Sequence, residues 1–246
     1  STRKAIELKP DYPEAHSNLG NILRNLGKLK EAEISTRKAI ELKPDYPEAH
    51  LNLGNILKDL DKLKEAEIST RKAIELKRDY ARAYSNLGNI LRDLGKIEEA
   101  ELLHRKAIEL KPDFSEAYFN LSLIELLKGK YETGLKNYEY RNINTTLLVP
   151  CVNTKMARIV GGKLEKGGKI LVICEQGLGD TLQFMRYVSY LKNEGIEVSF
   201  CAQKKLHSLI KASSIDSNPI SPEKVNQISE ENWIPLLSLP RILKIN

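Results

Sequence analysis

Cysteine is scarce in this sequence of 246 residues: Cys151, Cys174 and Cys201 form an odd set at long spacings, with no C-x-x-C. Such a set supports neither a disulfide framework nor a zinc site, and reduced, buried thiols in a cytoplasmic protein account for it best. Histidine is equally thin. His16 and His50 occupy the same place in a repeat, and His104 and His207 have no partner at ligand spacing, so neither metal nor cofactor is expected. No apolar run approaches the roughly 20 residues of a membrane-spanning helix. The opening "STRKAIELK" has neither the apolar core of a signal peptide nor an initiator Met, which predicts a fragment without a membrane span. Also missing is any block of one charge sign. The net charge of +6 is spread as 25 basic and 23 acidic residues up to Lys136 and 14 and 10 beyond it. Lys and Arg alternate with Glu at helical spacing, the mark of a solvated face and not of a nucleic-acid groove.

What is present is repetition. "STRKAIELK" begins at Ser1, Ser35 and Ser69, and returns as "LHRKAIELK" at Leu103, a period of 34 residues. A fixed period of this size denotes stacked supersecondary units that share one continuous core. Each unit reads as two helices. The first, over 13–26, sets Ala15, Leu19, Ile22, Leu23 and Leu26 in one stripe at 3.6 periodicity, with Pro13 suited to its first turn. Gly27 supplies a left-handed stop. The second helix, over 28–43, turns Leu29, Ala32, Thr36, Ala39 and Ile40 inward and ends before Pro44. Gly20 and Ala32 recur as Gly54 and Ala66 and as Gly88 and Ala100, so the paired helices are expected to approach closely.

Beside the apolar stripe runs a polar one. Asn18 and Asn21 recur as Asn52 and Asn55 and as Asn86 and Asn89, and Asn120 continues the row. An amide both donates and accepts, so such a ladder can hold an extended peptide backbone; equally, these side chains can satisfy neighbouring helices and bind nothing. The N-L-G-N, the later Gly, the Ala, the K-A-I-E-L and the closing Pro resemble the tetratricopeptide repeat over residues 1 to about 141, and "EAHSNLGNILRNLGKLKEAE" is similar in wording to the repeats of O-GlcNAc transferases. The resemblance implies an α-helical superhelix, an α-solenoid, whose concave groove takes a protein or peptide through Asn18, Asn52, Asn86 and Asn120. The predicted units are a partial first one, then 13–46, 47–80, 81–114 and 115–141, followed by a linker over 142–167.

From Gly168 the pattern changes. "KILVIC" reads as a strand, 180–193 as a helix, "EVSFCA" as a strand, 204–212 as a helix, and "WIPLLSL" as a further strand before Pro240 opens a last helix. Alternating strands and helices predict a parallel sheet, here a partial α/β Rossmann-like domain over 168–246. The turn "EQGLGDTLQF" after the first strand is not a dinucleotide site, because Leu182 stands where a third Gly is needed and no acid ends the second strand. Nor is it a Walker loop, since no Gly-Lys-Ser/Thr follows. It can be a bare turn in which Asp180 caps a helix, or a ligand site at the carboxyl end of a parallel strand. "EQGLGDTLQFMRY", with "YEYR" before it and "LLSLPRIL" after it, resembles bacterial tetratricopeptide-repeat proteins with a C-terminal glycosyltransferase-like domain, and more distantly the N-terminal lobe of heptosyltransferases of the GT-B fold. The resemblance implies a sugar transfer from a nucleotide sugar to a recruited acceptor, with Asp180 as general base and Gly177, Gly179, Thr181 and Gln183 about the substrate. The second, donor-binding lobe of that fold is not found before Asn246, so this chain alone is expected to be inactive. The competing expectation is a non-catalytic interaction scaffold.

Overall fold

The computed structural model describes residues 2–142, 156–162, 164–175, 177–228 and 232–244. Cys151 and Gln176 lie outside these. The chain divides into two compact units, Ser1–Lys128 and Gly129–Asn246.

The first unit is helical: α1 Thr2–Leu8, α2 Pro13–Asn25, α3 Leu29–Leu42, α4 Pro47–Asp59, α5 Leu63–Leu76, α6 Ala81–Asp93, α7 Ile97–Leu110 and α8 Ser115–Leu127. Pro13 and Pro47 open α2 and α4, where a missing N–H costs nothing and a fixed φ is already helical. The helix ends are equally local. Gly27, Gly95 and Asp61 have φ of 74°, 77° and 60°, and this left-handed step lets the N–H groups of Lys28, Lys62 and Lys96 return to the carbonyls of Leu23, Leu57 and Leu91.

Stacking repeats a single contact. Ile56 is buried against Leu23 and Ala32, Ile90 against Leu53, Leu57 and Ala66, and Ile124 against Leu87, Leu91 and Ala100, so each first helix inserts one isoleucine into the preceding pair. Burying such a side chain stabilises by about 1.5–3 kcal/mol. Ile22 and Leu26 were expected in the same stripe, yet they are 45% and 67% exposed, because only the short α1 lies on that side of α2. A charge ladder keeps the same period: Glu33 accepts from Arg37 and Lys62, Glu67 from Arg71 and Lys96, and Glu101 from Arg105 and Lys128.

The second unit comprises α9 Tyr131–Tyr138, a 3-10 turn Glu139–Asn142, β1 Ala157–Arg158, β2 Lys169–Ile173, α10 Leu178–Phe184, α11 Arg186–Asn193, β3 Glu197–Cys201, α12 His207–Ala212, β4 Asn232–Pro235 and α13 Leu239–Ile242. It begins before residue 141. The segment expected as linker carries strand β1, and the helix expected over 180–193 starts at Leu178 and breaks at Met185 into α10 and α11. The strands form one parallel sheet in the order β1-β4-β2-β3. Alternation along β2 sends Ile170 and Val172 to a core with Val188, Leu191, Phe200 and Ile210, and Leu171 and Ile173 to the other face with Cys201 and Val225. Four strands, one of two residues, make a small parallel sheet and do not by themselves distinguish a glycosyltransferase lobe from other α/β units.

Candidate functional site

Two regions hold the side chains singled out by the sequence. In the first unit the asparagine row lies where successive first helices meet. Asn52 donates from Nδ2 to Ser17 Oγ at 3.0 Å, and Asn120 to Ser85 Oγ at 3.5 Å. At the repeat position held by Ser17 and Ser85 the unit before Asn86 has Leu51, and Asn86 donates instead to Asn55 Oδ1 at 2.7 Å. Three amides therefore tie one repeat to the next, and each is held in one orientation by the bond it makes. Asn18 and Asn21 are exposed, Asn52, Asn55, Asn86 and Asn89 half-buried, and Asn120 is buried. The row is brought together in part as a structural seam. It retains acceptors on Asn52 and Asn86 and donors on Asn55, for which no partner is formed among the described residues.

Lys43 and Lys77 lie 5.0 and 4.9 Å from the ring centroids of Tyr46 and Tyr80. Burial, and then the carboxylates of Glu14 and Glu48, push the Tyr46 hydroxyl above its ordinary pKa, so it stays a neutral donor and acceptor. A cavity of about 550 Å³ opens elsewhere, between α3, α4 and α5, floored by Leu53 and Leu57 with Ile40, Ile68 and His50 about it. His50, Leu53 and Leu57 lie on the face of α4 opposite Asn52 and Asn55, so this cavity and the asparagine row are separate features.

In the second unit the chain leaves β2 for β3 on one side and returns from β3 to β4 on the other. The carboxyl ends of β2 and β4 thus bound the switch point at which parallel sheets place ligands. Here that crevice holds the protein's own charges. Arg141 donates from Nη2 to both carboxylate oxygens of Glu175, at 3.0 and 2.8 Å, and to Ser238 Oγ at 3.0 Å; Glu175 also accepts the Leu237 N–H at 3.2 Å. Both side chains are buried. Arg141 comes from "YEYR", Glu175 from "CEQGLGD" and Ser238 from "LLSLPR", so three separated stretches meet at one place. Sequence reasoning missed Glu175 as a site residue. Its signal was a lone acid directly after an apolar strand.

The expected substrate turn lies beside this pair. Gly177, Gly179 and Gln183 are exposed, and Asp180 is half-buried at the third position of α10. Asp180 accepts no hydrogen bond among the described residues, and Gly177 occupies the cap position, so the capping bonds considered for Asp180 are not formed. Thr181 is 1% exposed and donates to Gln203 Oε1 at 2.9 Å, which ties α10 to the end of β3. Among the described residues no three His, Cys, Asp or Glu side chains are grouped to hold a metal ion, and no helix is long and apolar enough to cross a membrane.

Family models described as tetratricopeptide repeat match residues 2–34, 47–80 and 81–114, and one described as TPR repeat matches 20–61. No curated protein matches the chain. Similar solved structures include MamA, 27% identical with a TM-score of 0.50 over 56% of this chain and 81% of that one. A MamA fragment from Desulfovibrio magneticus RS-1 is 21% identical with a TM-score of 0.50, covering 58% of this chain and 84% of that one. TTC0263, a thermophilic TPR protein of Thermus thermophilus, is 21% identical with a TM-score of 0.53, covering 56% and 76%. The last two likenesses concern the fold alone. With the period, the left-handed stops and the isoleucine stacking, these matches make residues 2–114 an array of tetratricopeptide repeats.

Proposed function

We propose that the repeat array is a protein-interaction module that holds an extended peptide along its first helices. The observation that carries this reading is the fixed orientation of the asparagine amides. Because Asn52 and Asn86 each direct one Nδ2 hydrogen between helices, the amides are oriented with their carbonyl oxygens left for ligand N–H groups, while Asn55 keeps its donors for a carbonyl. A backbone carries that alternation whatever its side chains. The test is a peptide selected from a displayed random library on the wild-type chain, with its affinity measured against variants. Asn18→Ala and Asn21→Ala, both exposed, should weaken binding while changing stability by less than about 0.5 kcal/mol. Asn52→Ala and Asn86→Ala should weaken binding and also cost about 0.5–1.5 kcal/mol of stability. Selected peptides indifferent to all four changes would make the row a seam between helices and nothing more.

A second reading, sugar transfer with Asp180 as general base, is supported by the turn. Neither Gly177 nor Gly179 has a positive φ, and a Cβ at Gly179 would meet nothing within 4 Å, so the fold itself does not demand these glycines. The free Asp180 carboxylate beside them suits proton removal from an acceptor hydroxyl, a contribution of about 100- to 10,000-fold. Asp180→Asn should keep the fold and lose that factor in transfer from a nucleotide sugar. Transfer at the parental rate removes Asp180 from the mechanism.

A further inference from the structure

Glu139, in the 3-10 turn after α9, sits among three arginines. Its Oε2 accepts from Arg158 Nη2 at 3.1 Å and from Ser238 Oγ at 3.1 Å. Its Oε1 lies 3.6 Å from Arg141 Nη1 and 3.4 Å from Arg241 Nε. These partners come from the end of β1, from the stretch after β4 and from the turn itself, so the sheet edge assembles them independently of Glu139. The side chains are mostly enclosed, with 29% of Arg158, 23% of Arg241 and 17% of Glu139 exposed.

Two features mark the carboxylate as an incomplete fit. The Nε atoms of Arg158 and Arg241 are buried and have no hydrogen-bond partner among the described residues, although Arg241 Nε lies 3.4 Å from Glu139 Oε1. The charges among the described residues are also uneven: three guanidinium groups face two carboxylates, and Glu175 accepts from Arg141 and the Leu237 N–H. Among these five groups two positive charges are in excess without Glu139, and one with it. A phosphate dianion in the same place would neutralise both and offer three or more acceptor oxygens in the geometry that guanidinium forks match.

We propose that Arg141, Arg158, Arg241 and Ser238 form a binding site for a phosphate group, and that Glu139 is its tethered internal occupant. A tethered competitor lowers apparent affinity by the fraction of molecules in which the site is open. Wild type therefore binds phosphate weakly, and removing the Glu139 charge exposes the site. Arg241 bonds the Val160 carbonyl through Nη2 and is held in place when Glu139 changes.

The test uses the whole chain and inorganic phosphate at about pH 8, where most of it is dianionic, with sodium chloride at equal ionic strength as control. Calorimetric titration of Glu139→Gln should show phosphate binding at least about tenfold tighter than wild type, as expected for release of an internal competitor. Adding Arg158→Met or Arg241→Met should abolish the gain. Glu139→Asp, which keeps the charge but withdraws it from Arg158 and Ser238, provides the same comparison if Glu139→Gln is not folded by circular dichroism; it should bind several-fold tighter than wild type. A folded variant that binds phosphate no better than wild type, or a gain that survives loss of either arginine, overturns the proposal.

Discussion

His104 sits where the preceding repeats have Thr36 and Thr70. It is fully buried, with Nε2 2.7 Å from where a Cβ on Gly88 would lie, and neither ring nitrogen has a hydrogen-bond partner among the described residues. Burial, and secondarily the charge of Arg92, hold its pKa down at about 4 against an ordinary 6.5. The direction of linkage follows. Between those values the unfolded chain takes up a proton that the folded protein refuses, so stability is complete above pH 6.5 and falls as the pH drops toward 4. The full effect is of the order of 3 kcal/mol. His104→Thr should flatten this dependence, measured as the difference between urea unfolding free energies at about pH 7 and about pH 4.5. An unchanged difference assigns the acid sensitivity to other groups. Asp61 is the opposite case: in the 34-residue period it stands where Gly27 and Gly95 stand, a place that calls for a left-handed backbone, and its φ is 60°. Nothing comparable announced that His104 would be without partners, since a period reports position and not hydrogen bonding.

Paired helices owe their separation to glycine. Gly54 on α4 faces Thr70 on α5, whose hydroxyl donates to the Ala66 carbonyl at 2.8 Å, and an added Cβ would overlap that hydroxyl. Gly54→Ala gains about 1 kcal/mol in helix propensity. It should nevertheless destabilise, because forcing apart a packed pair typically costs about 1–3 kcal/mol. Thr70→Ala, added second, should recover much of the loss; additive losses in thermal unfolding would place the strain elsewhere. At this scale the repeat was largely legible: stops, proline starts and small residues all act through neighbours a few positions away. The second unit was less so. The break at Met185 interrupts a continuous helical pattern, and β1 is two residues whose pairing with β4 depends on a segment some 75 positions further on. Local pattern carries no information about such a partner.

Across the molecule, the least legible feature is the buried Arg141–Glu175 pair, since its members are 34 residues apart and meet Ser238 a further 63 on. Removing one partner of a buried ion pair leaves the other charge uncompensated, at a cost of about 3–5 kcal/mol. Glu175→Gln should therefore raise hydrogen exchange throughout β2 and β3, whereas Arg141→Met with Glu175→Leu should restore much of the protection. Equal exchange in all three proteins would show that the pair contributes nothing to the unit. In the repeat array, by contrast, two elements cannot be told apart at all: α3 and α5 are the same 14 residues. A chain searching for its fold meets two chemically equivalent partners for α2, and contacts cannot choose between them. The choice falls to chain closure. Three residues separate Asn25 from Leu29, but 37 separate Asn25 from Leu63. The logarithmic dependence of closure entropy on that length favours the near partner by about 2 kcal/mol. The turn at Gly27 thus does more than reverse the chain: its brevity is the address by which α2 finds its own repeat.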